Sequence, residues 1–405
     1  MNPHLIYDWN KVGAPPTPPL VMLDDETLRD GLQSPSVRTP TIDQKIRILH
    51  LIDSLEIDSA DIGLPGAGPH VVADVERLAR EIASARLRVR PNCAARTHVN
   101  DIAPIADVVQ RTGVPIECCT FIGSSPIRQY TEGWTLEWLL KCTEEAVAFA
   151  VQQGLQVTYV TEDTTRADPD TLRAIYRCAI RAGATRICIA DTVGHATPTG
   201  AAAVVRFVSE VIADTGATVG IDWHGHRDRD LAIMNSIAAL DAGATRLHGA
   251  ALGIGERVGN TPMDLLLVNL VLMGYTTRDL RALNEYCQTV AIACGVPIPD
   301  NYPVIGRDAF RTATGVHAAA VVKAWRKGDR ELMDAVYSAI PASLVGREQE
   351  IDVGPMSGKS NVIFWLEKRG IAPTDAIVDR VFKRAKASAK VLTEEEILAA
   401  VYQSS

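Results

Sequence analysis

Two histidines one residue apart, His224 and His226, form the clearest chemical signal in the chain. On a strand, positions i and i+2 project to the same face. Two imidazoles so placed can share one divalent cation, and a carboxylate with an amide or water would complete an octahedral shell. The other reading is a pair of core histidines making ordinary hydrogen bonds. Asp30, in Arg29-Asp30-Gly31, offers a carboxylate if it reaches the same place, and its availability favours the metal. Further polar residues gather in residues 24–33, at Arg90 and Asn92, in 161–166, in 191–195 and in 253–260. Two lookalikes are set aside. Gly253-Ile-Gly255-Glu256-Arg257-Val258-Gly259 has the spacing GxGxxxG, not the GxGxxG of a dinucleotide fingerprint, and it follows a late strand instead of a first one. Ser357-Gly358-Lys359-Ser360 ends like a P-loop, but the earlier glycine that motif needs is Val353.

Such residues need a frame. Runs rich in branched apolar residues begin near Leu20, Ile57, Leu87, Val114, Leu155, Arg186, Thr218 and Thr245. Between them lie longer amphipathic stretches, among them 41–56, 134–153, 168–182 and 198–215, with Ile42, Ile46, Leu49 and Ile52 at helical spacing. Strand and helix alternating eight times implies parallel strands with crossover helices. A doubly wound sheet has the same alphabet, but eight units over this length fit an α/β fold of the (β/α)8 TIM-barrel type. The expected division is an extended lead-in over 1–19, a barrel over 20–290 and a mainly helical C-terminal region over 291–405. The proline-rich stretch 13–19 cannot be helical. In such barrels chemistry sits at the C-terminal ends of the strands. The polar clusters fall there on this reading, with the third strand ending at Arg90 and Asn92.

Composition narrows the class. The 405 residues carry a formal charge of −8, which gives no concentrated basic surface for nucleic acid or an anionic membrane. No apolar run is long enough to span a bilayer. Residues 1–11 lack a charged start followed by an apolar run, so no secretory signal is expected. Eight cysteines without a CxxC pair read as small buried hydrophobes in a reduced, cytoplasmic protein.

Several motifs in order resemble the metal-dependent acyl-transferring barrels that include 2-isopropylmalate, homocitrate and citramalate synthases, with hydroxymethylglutaryl-CoA lyase as a relative. They are Leu28-Arg-Asp-Gly-Leu-Gln33, His224-Gly-His226, the loop 253–260, Gly315-Val-His317, Tyr337, Val345-Gly-Arg347 and Ser357–Ser360. The resemblance implies Asp30, His224, His226 and Asn260 as ligands of one Zn, Mn or Mg ion. It implies Arg29 as the oxyanion stabiliser and Thr192 as the holder of a 2-oxo acid carboxylate. Glu162, His317 and Tyr337 would promote proton removal from acetyl-CoA, with Gln33, Arg90 and Arg128 around the acceptor. Gly253, Gly255 and Glu256 would meet the CoA phosphates. A homodimer with shared active sites is implied too. Chemistry supports the assignment: a Claisen condensation needs a polarised carbonyl, a charge beside the forming alkoxide and a base at the acetyl methyl.

Blander readings exist for single residues. Asp30 could pair with Arg29, Glu162 with Arg166, and Asn260 could cap a helix starting near Thr261. Arg257 and Asp191 read as an ion-pair layer at the mouth. Departures from the family bear on the acceptor. Leu32 makes the signature closer to the lyases, yet the loop before Asn260 lacks the lyase cysteine. Cys119 and Arg128 stand where synthases usually have histidines, and His195 where tyrosine is common. Ending at Ser405, the chain leaves no room for a leucine-responsive domain, so no leucine inhibition is expected. The favoured expectation is a 2-isopropylmalate synthase-like enzyme of leucine biosynthesis using 2-oxoisovalerate. Homocitrate- or citramalate-type acceptors, then a 3-hydroxyacyl-CoA lyase, follow. An inactive barrel serving as an interaction module is disfavoured by the intact ligand set.

Overall fold

In a computed structural model that describes residues 5–11 and 20–403, eight parallel strands close into a ring. They are β1 (Met22–Asp25), β2 (Ser59–Asp61), β3 (Arg90–Arg96), β4 (Glu117–Gly123), β5 (Val157–Glu162), β6 (Arg186–Asp191), β7 (Gly220–Gly225) and β8 (Arg246–Gly249). Each pairs with the next, and β1 pairs with β8, Met22 opposite Arg246 and Asp25 opposite Gly249. The helices between them are α1 (Ile42–Ser54), α2 (Pro69–Ala85), α3 (Val99–Thr112), α4 (Pro126–Glu132), α5 (Leu136–Gln152), α6 (Pro169–Ala182), α7 (Pro198–Ala213) and α8 (Ala232–Asp241). After β8 come α9 (Met263–Leu272) and α10 (Leu283–Cys294). The expected (β/α)8 barrel is the one observed.

Local chemistry sets the helix ends. Thr41 and Gln44 form a capping box at α1, each side chain accepting from the other's backbone N–H. Asp168 accepts from the N–H of Thr171 at 3.0 Å, Pro169 occupies the first turn, and Gly183 ends α6 in a left-handed conformation. Leu172, Ile175, Tyr176 and Ala179 form the buried stripe of that helix. The proline-rich stretch 13–19, expected to be extended, lies outside the described residues.

The ring's interior is charged. Strand alternation separates Leu23, Trp223 and Leu247, which register together, from Asp24, Asp222, His224, Arg246 and His248. Arg246 is 1% exposed and donates to Glu117 at 2.8 and 2.9 Å and to Asp222 at 2.8 Å. Asp222 also accepts from Arg186 at 2.6 Å. This cluster is fully paired, the condition under which buried charge is tolerated.

A second compact unit gathers residues 298–403 with 5–11. The division falls between Pro297 and Ile298, a little past the expected 290, and 5–11 joins this unit instead of standing apart. It holds β9 (Arg311–Thr312) paired with β10 (Glu350–Ile351), and the helices α11 (Gly315–Arg326), α12 (Arg330–Ala335), α13 (Lys359–Lys368), α14 (Asp375–Lys386) and α15 (Glu394–Tyr402). Its core packs Val353, Val362, Trp365, Leu366, Val378, Val381 and Ile397. The P-loop lookalike opens α13. Ser357 Oγ donates to Ala313 O at 2.7 Å, the Gly358 N–H donates to Asn361, and Lys359 pairs with Asp379.

Candidate active site and metal centre

His224 and His226 point to one place, as their spacing on β7 requires. A bridge to Asn260 holds His226 just past the strand end. The two Nε2 atoms are 3.3 Å apart, and His224 Nε2 is 3.9 Å from Asp30 Oδ2. All three residues are buried and close enough to share one ion. Asn260 comes from the loop after β8. Its amide nitrogen donates to Asp30 Oδ1 at 2.7 Å and to Ile254 O at 3.0 Å. That leaves Asn260 Oδ1 buried without a partner, as is His226 Nδ1. Buried polar atoms are nearly always paired. An orphan carbonyl oxygen beside two imidazoles and a carboxylate is a donor set that suits a divalent cation. Asn260 does not cap α9, which starts at Met263 after Pro262 with no side-chain cap.

The loop packs tightly enough to need its glycines. A side chain on Gly255, whose φ is +151°, would place Cβ 2.2 Å from Asn260 Nδ2 and 2.9 Å from Asp30 Oδ1. On Gly259 it would lie 1.7 Å from Gly253 O. Gly253 and Gly255, expected at the CoA phosphates, therefore already brace the ligand set.

Arg29 is gripped by carboxylates. Its Nε donates to Asp61 at 2.7 Å, one Nη to Asp30 at 2.9 Å, and the other pairs with Glu26. One guanidinium among three carboxylates leaves negative charge in excess. Burial raises the Asp30 carboxyl, but Arg29 and the two histidines outweigh it and hold it below the usual range. Burial, with His224 alongside, lowers His226 to about 4, so its ring is neutral near pH 7 as a ligand must be.

Two participants escape the sequence reading. Glu26 Oε1 lies 2.9 Å from His248 Nδ1 and 3.4 Å from His224 Nδ1, and His248 Nε2 lies 3.2 Å from Asp222. Burial disfavours a charged His248, yet Asp24, Asp222 and Glu26 overcome it and lift the ring to about 10. Arg246 and His248 carry the same two-residue spacing as the histidine pair, which was the available signal.

These groups line a cavity of about 270 Å³. Glu26, Arg29, Asp30, His224, His226 and His248 form the arc from β7 through β8 to β1, while Ala94, Cys119, Phe121, Val160, Cys188 and Ala190 form the arc from β3 to β6. Gln33, Leu64, Glu162, Thr192, Glu256 and Arg257 complete the lining. Thr192 Oγ1 accepts from the N–H of Asp163 at 2.8 Å. A side recess of about 250 Å³ shares Glu162 and Thr192 and adds Arg128 and Arg166.

Residues 21–290 match the sequence profile of the HMGL-like family. The chain belongs to this family. It is 34% identical to homocitrate synthase AksA of Methanopyrus kandleri, over 91% of this chain and 88% of that one. It is 30% identical to a probable 2-isopropylmalate synthase of the same organism, over 91% and 70%. Its fold superimposes on hydroxymethylglutaryl-CoA lyase of Brucella melitensis with a TM-score of 0.56 at 18% identity, covering 68% of this chain and 99% of that structure. Both synthase names occur among the relatives, so they do not support the expected preference for 2-isopropylmalate over homocitrate synthase.

Within this HMGL-like barrel several expectations need correcting. Arg90 opens β3 instead of ending it, and it lines a separate recess with Arg88 and Arg278 at the strands' N-terminal end. It is not at the mouth. Glu162 makes no hydrogen bond or ion pair through its carboxylate among the described residues, because Arg166 pairs with Asp163 at 2.7 and 2.8 Å. Arg257 pairs with Asp228, and Asp191 accepts from Thr165 and two backbone N–H groups, so they form no shared ion layer. Arg128 faces the side recess, paired with Glu132 at 3.3 Å. His317 and Tyr337 belong to the second unit, where their exposed rings stack with centroids 4.2 Å apart.

Proposed function

We propose that the barrel is an acyltransferase that condenses acetyl-CoA with a 2-oxo acid in a metal-dependent Claisen step and then hydrolyses the thioester. The observation that carries this reading is the convergence of Asp30, His224, His226 and the unpartnered Asn260 Oδ1 beside Arg29. A divalent ion held there, whether Zn, Mn or Mg, supplies Lewis-acid polarisation of the acceptor carbonyl, worth several kcal/mol.

The chain's own residues do the rest. Arg29, fixed by three carboxylates, offers N–H donors where alkoxide charge develops. Thr192 already accepts a hydrogen bond from Asp163, which leaves its hydroxyl proton to donate to the acceptor's carboxylate. Burial raises the Glu162 carboxyl, with Arg128 the main opposing influence, which suits a group that exchanges protons at the rim. Proton removal from the acetyl methyl is assigned to His317 with Tyr337, and the CoA phosphates to the loop around Glu256. A homodimer whose copies share sites belongs to this reading, with small molecules as the other partners.

The test is thiol release from acetyl-CoA. It should require both a 2-oxo acid and an added divalent ion, and excess chelator should abolish it. Cleavage of a 3-hydroxyacyl-CoA without any release from acetyl-CoA would replace the synthase with a lyase.

A further inference from the structure

The acceptor's side chain must lie somewhere in the cavity, and the cavity has two unlike arcs. One holds the metal residues and Arg29. The other is made by inward positions two apart on consecutive strands: Ala94 on β3, Cys119 and Phe121 on β4, Val160 on β5, Cys188 and Ala190 on β6. None of these carries a charge. Burial pushes the thiols of Cys119 and Cys188 well above their usual range, so both stay neutral, and Cys119 Sγ contacts Asn92 Oδ1 at 3.6 Å.

Among the described residues, each cation lining the cavity is paired, His248 with Glu26 and Asp222. Arg29 is taken by Glu26, Asp30 and Asp61, and Arg257 by Asp228. Arg90 stands at the other end of β3. Arg128 is half exposed, pairs with Glu132, lies over the Trp134 ring and lines the side recess. Glu162 lines both spaces, so a distal carboxylate seeking Arg128 meets another carboxylate there. A buried carboxylate without a partner is disfavoured, whereas an apolar group gains by leaving water. The volume, about 270 Å³, must also admit the acetyl group, which limits the side chain to a few carbons.

Resting on the condensation reading above, we infer that the acceptor is a 2-oxo acid with a short, uncharged hydrocarbon side chain seated against Phe121 and Val160, and that dicarboxylic 2-oxo acids are rejected. Phe121 sets the depth and Val160 excludes charge.

The experiment has two arms on the metal-loaded full-length protein. The first compares kcat/KM for pyruvate, 2-oxobutyrate, 2-oxoisovalerate and 2-oxoglutarate. The best apolar acceptor should exceed 2-oxoglutarate by about 100-fold or more. Equal or better use of 2-oxoglutarate overturns the inference. The second measures binding of the same acids by calorimetry without acetyl-CoA. If no acid supports CoA release, the condensation reading fails, but the binding order still decides the pocket. Tighter 2-oxoisovalerate upholds it; tighter 2-oxoglutarate, or no binding at all, overturns it. In Val160→Lys, with metal affinity unchanged as the check on folding, the preference should shift toward 2-oxoglutarate by about tenfold or more. Phe121→Ala should admit 2-oxoisocaproate; an unchanged acceptor range in both variants removes these residues from the assignment.

Discussion

Glu26 touches Arg29, His248 and His224 at once. Its contact with His224 Nδ1 leaves Nε2 as the proposed ligand atom, the carboxylate–histidine arrangement that orients metal ligands. Glu26→Gln should weaken metal binding about 10- to 100-fold; a competition titration showing wild-type affinity would count against this role. Thr192→Val removes one hydrogen bond to a charged acceptor. It should raise KM for the 2-oxo acid by about 10- to 100-fold and spare kcat, and steady-state kinetics will separate the two. At this scale the sequence was readable where partners are near in the chain. His224 and His226 declared themselves by a spacing of two on a strand. Glu26 and His248 did not, because the contact joins positions 222 apart and exists only once the ring has closed.

The elements carry their own predictions. Asp25 ends β1 with its carboxylate buried against the Tyr286 hydroxyl of α10 and the Thr27 N–H. Burial lifts its pKa to about 7, although both hydrogen bonds pull it down. The folded state therefore binds this proton more tightly than the unfolded chain does. Its contribution to stability is full below about pH 4 and is lost as pH rises toward 7. Asp30 and Asp222, whose carboxyls are lowered, act in the opposite sense and lose their contribution as pH falls. Urea midpoints across pH 4 to 7 should therefore rise more steeply in Asp25→Asn than in the wild type, and parallel curves would contradict the assignment. Gly255→Ala forces a Cβ against Asn260 at a left-handed φ. Strain of about 1–3 kcal/mol there should cost metal affinity about tenfold or more while leaving the far-ultraviolet spectrum unchanged. The order of the eight strands was legible from their apolar runs. The end of β3 was not: it was placed at Arg90 and Asn92, whereas Cys93-Ala94-Ala95 continue the pairing with β4 to Arg96. That misplacement sent Arg90 to the wrong end of the barrel.

For the molecule as a whole, an ion that binds only the folded barrel must stabilise it. At 100 times its Kd the gain is about 2.7 kcal/mol, so thermal unfolding should shift upward with added metal and back with chelator. The proposed sharing of sites between copies makes a further prediction. Asp30→Asn and His317→Ala, each inactive alone, should regain part of the activity when unfolded and refolded together, and no recovery would place His317 outside the chemistry. At this scale the sequence already set His317 and Tyr337 apart from the barrel, since both fall in the region beyond residue 290.

Asp30 follows the first strand and Asn260 the last, 230 residues later, yet their side chains are hydrogen-bonded. The β1–β8 pairing is the seam of the ring, and the proposed metal ligands straddle it. The ion is then a clasp as well as a reagent. A growing chain does not own the site until its eighth strand has been added and stitched to its first. Stripping the ion should loosen the barrel first along that seam, with amide protons of Met22–Asp25 and Arg246–Gly249 exchanging earlier than those of β4 and β5.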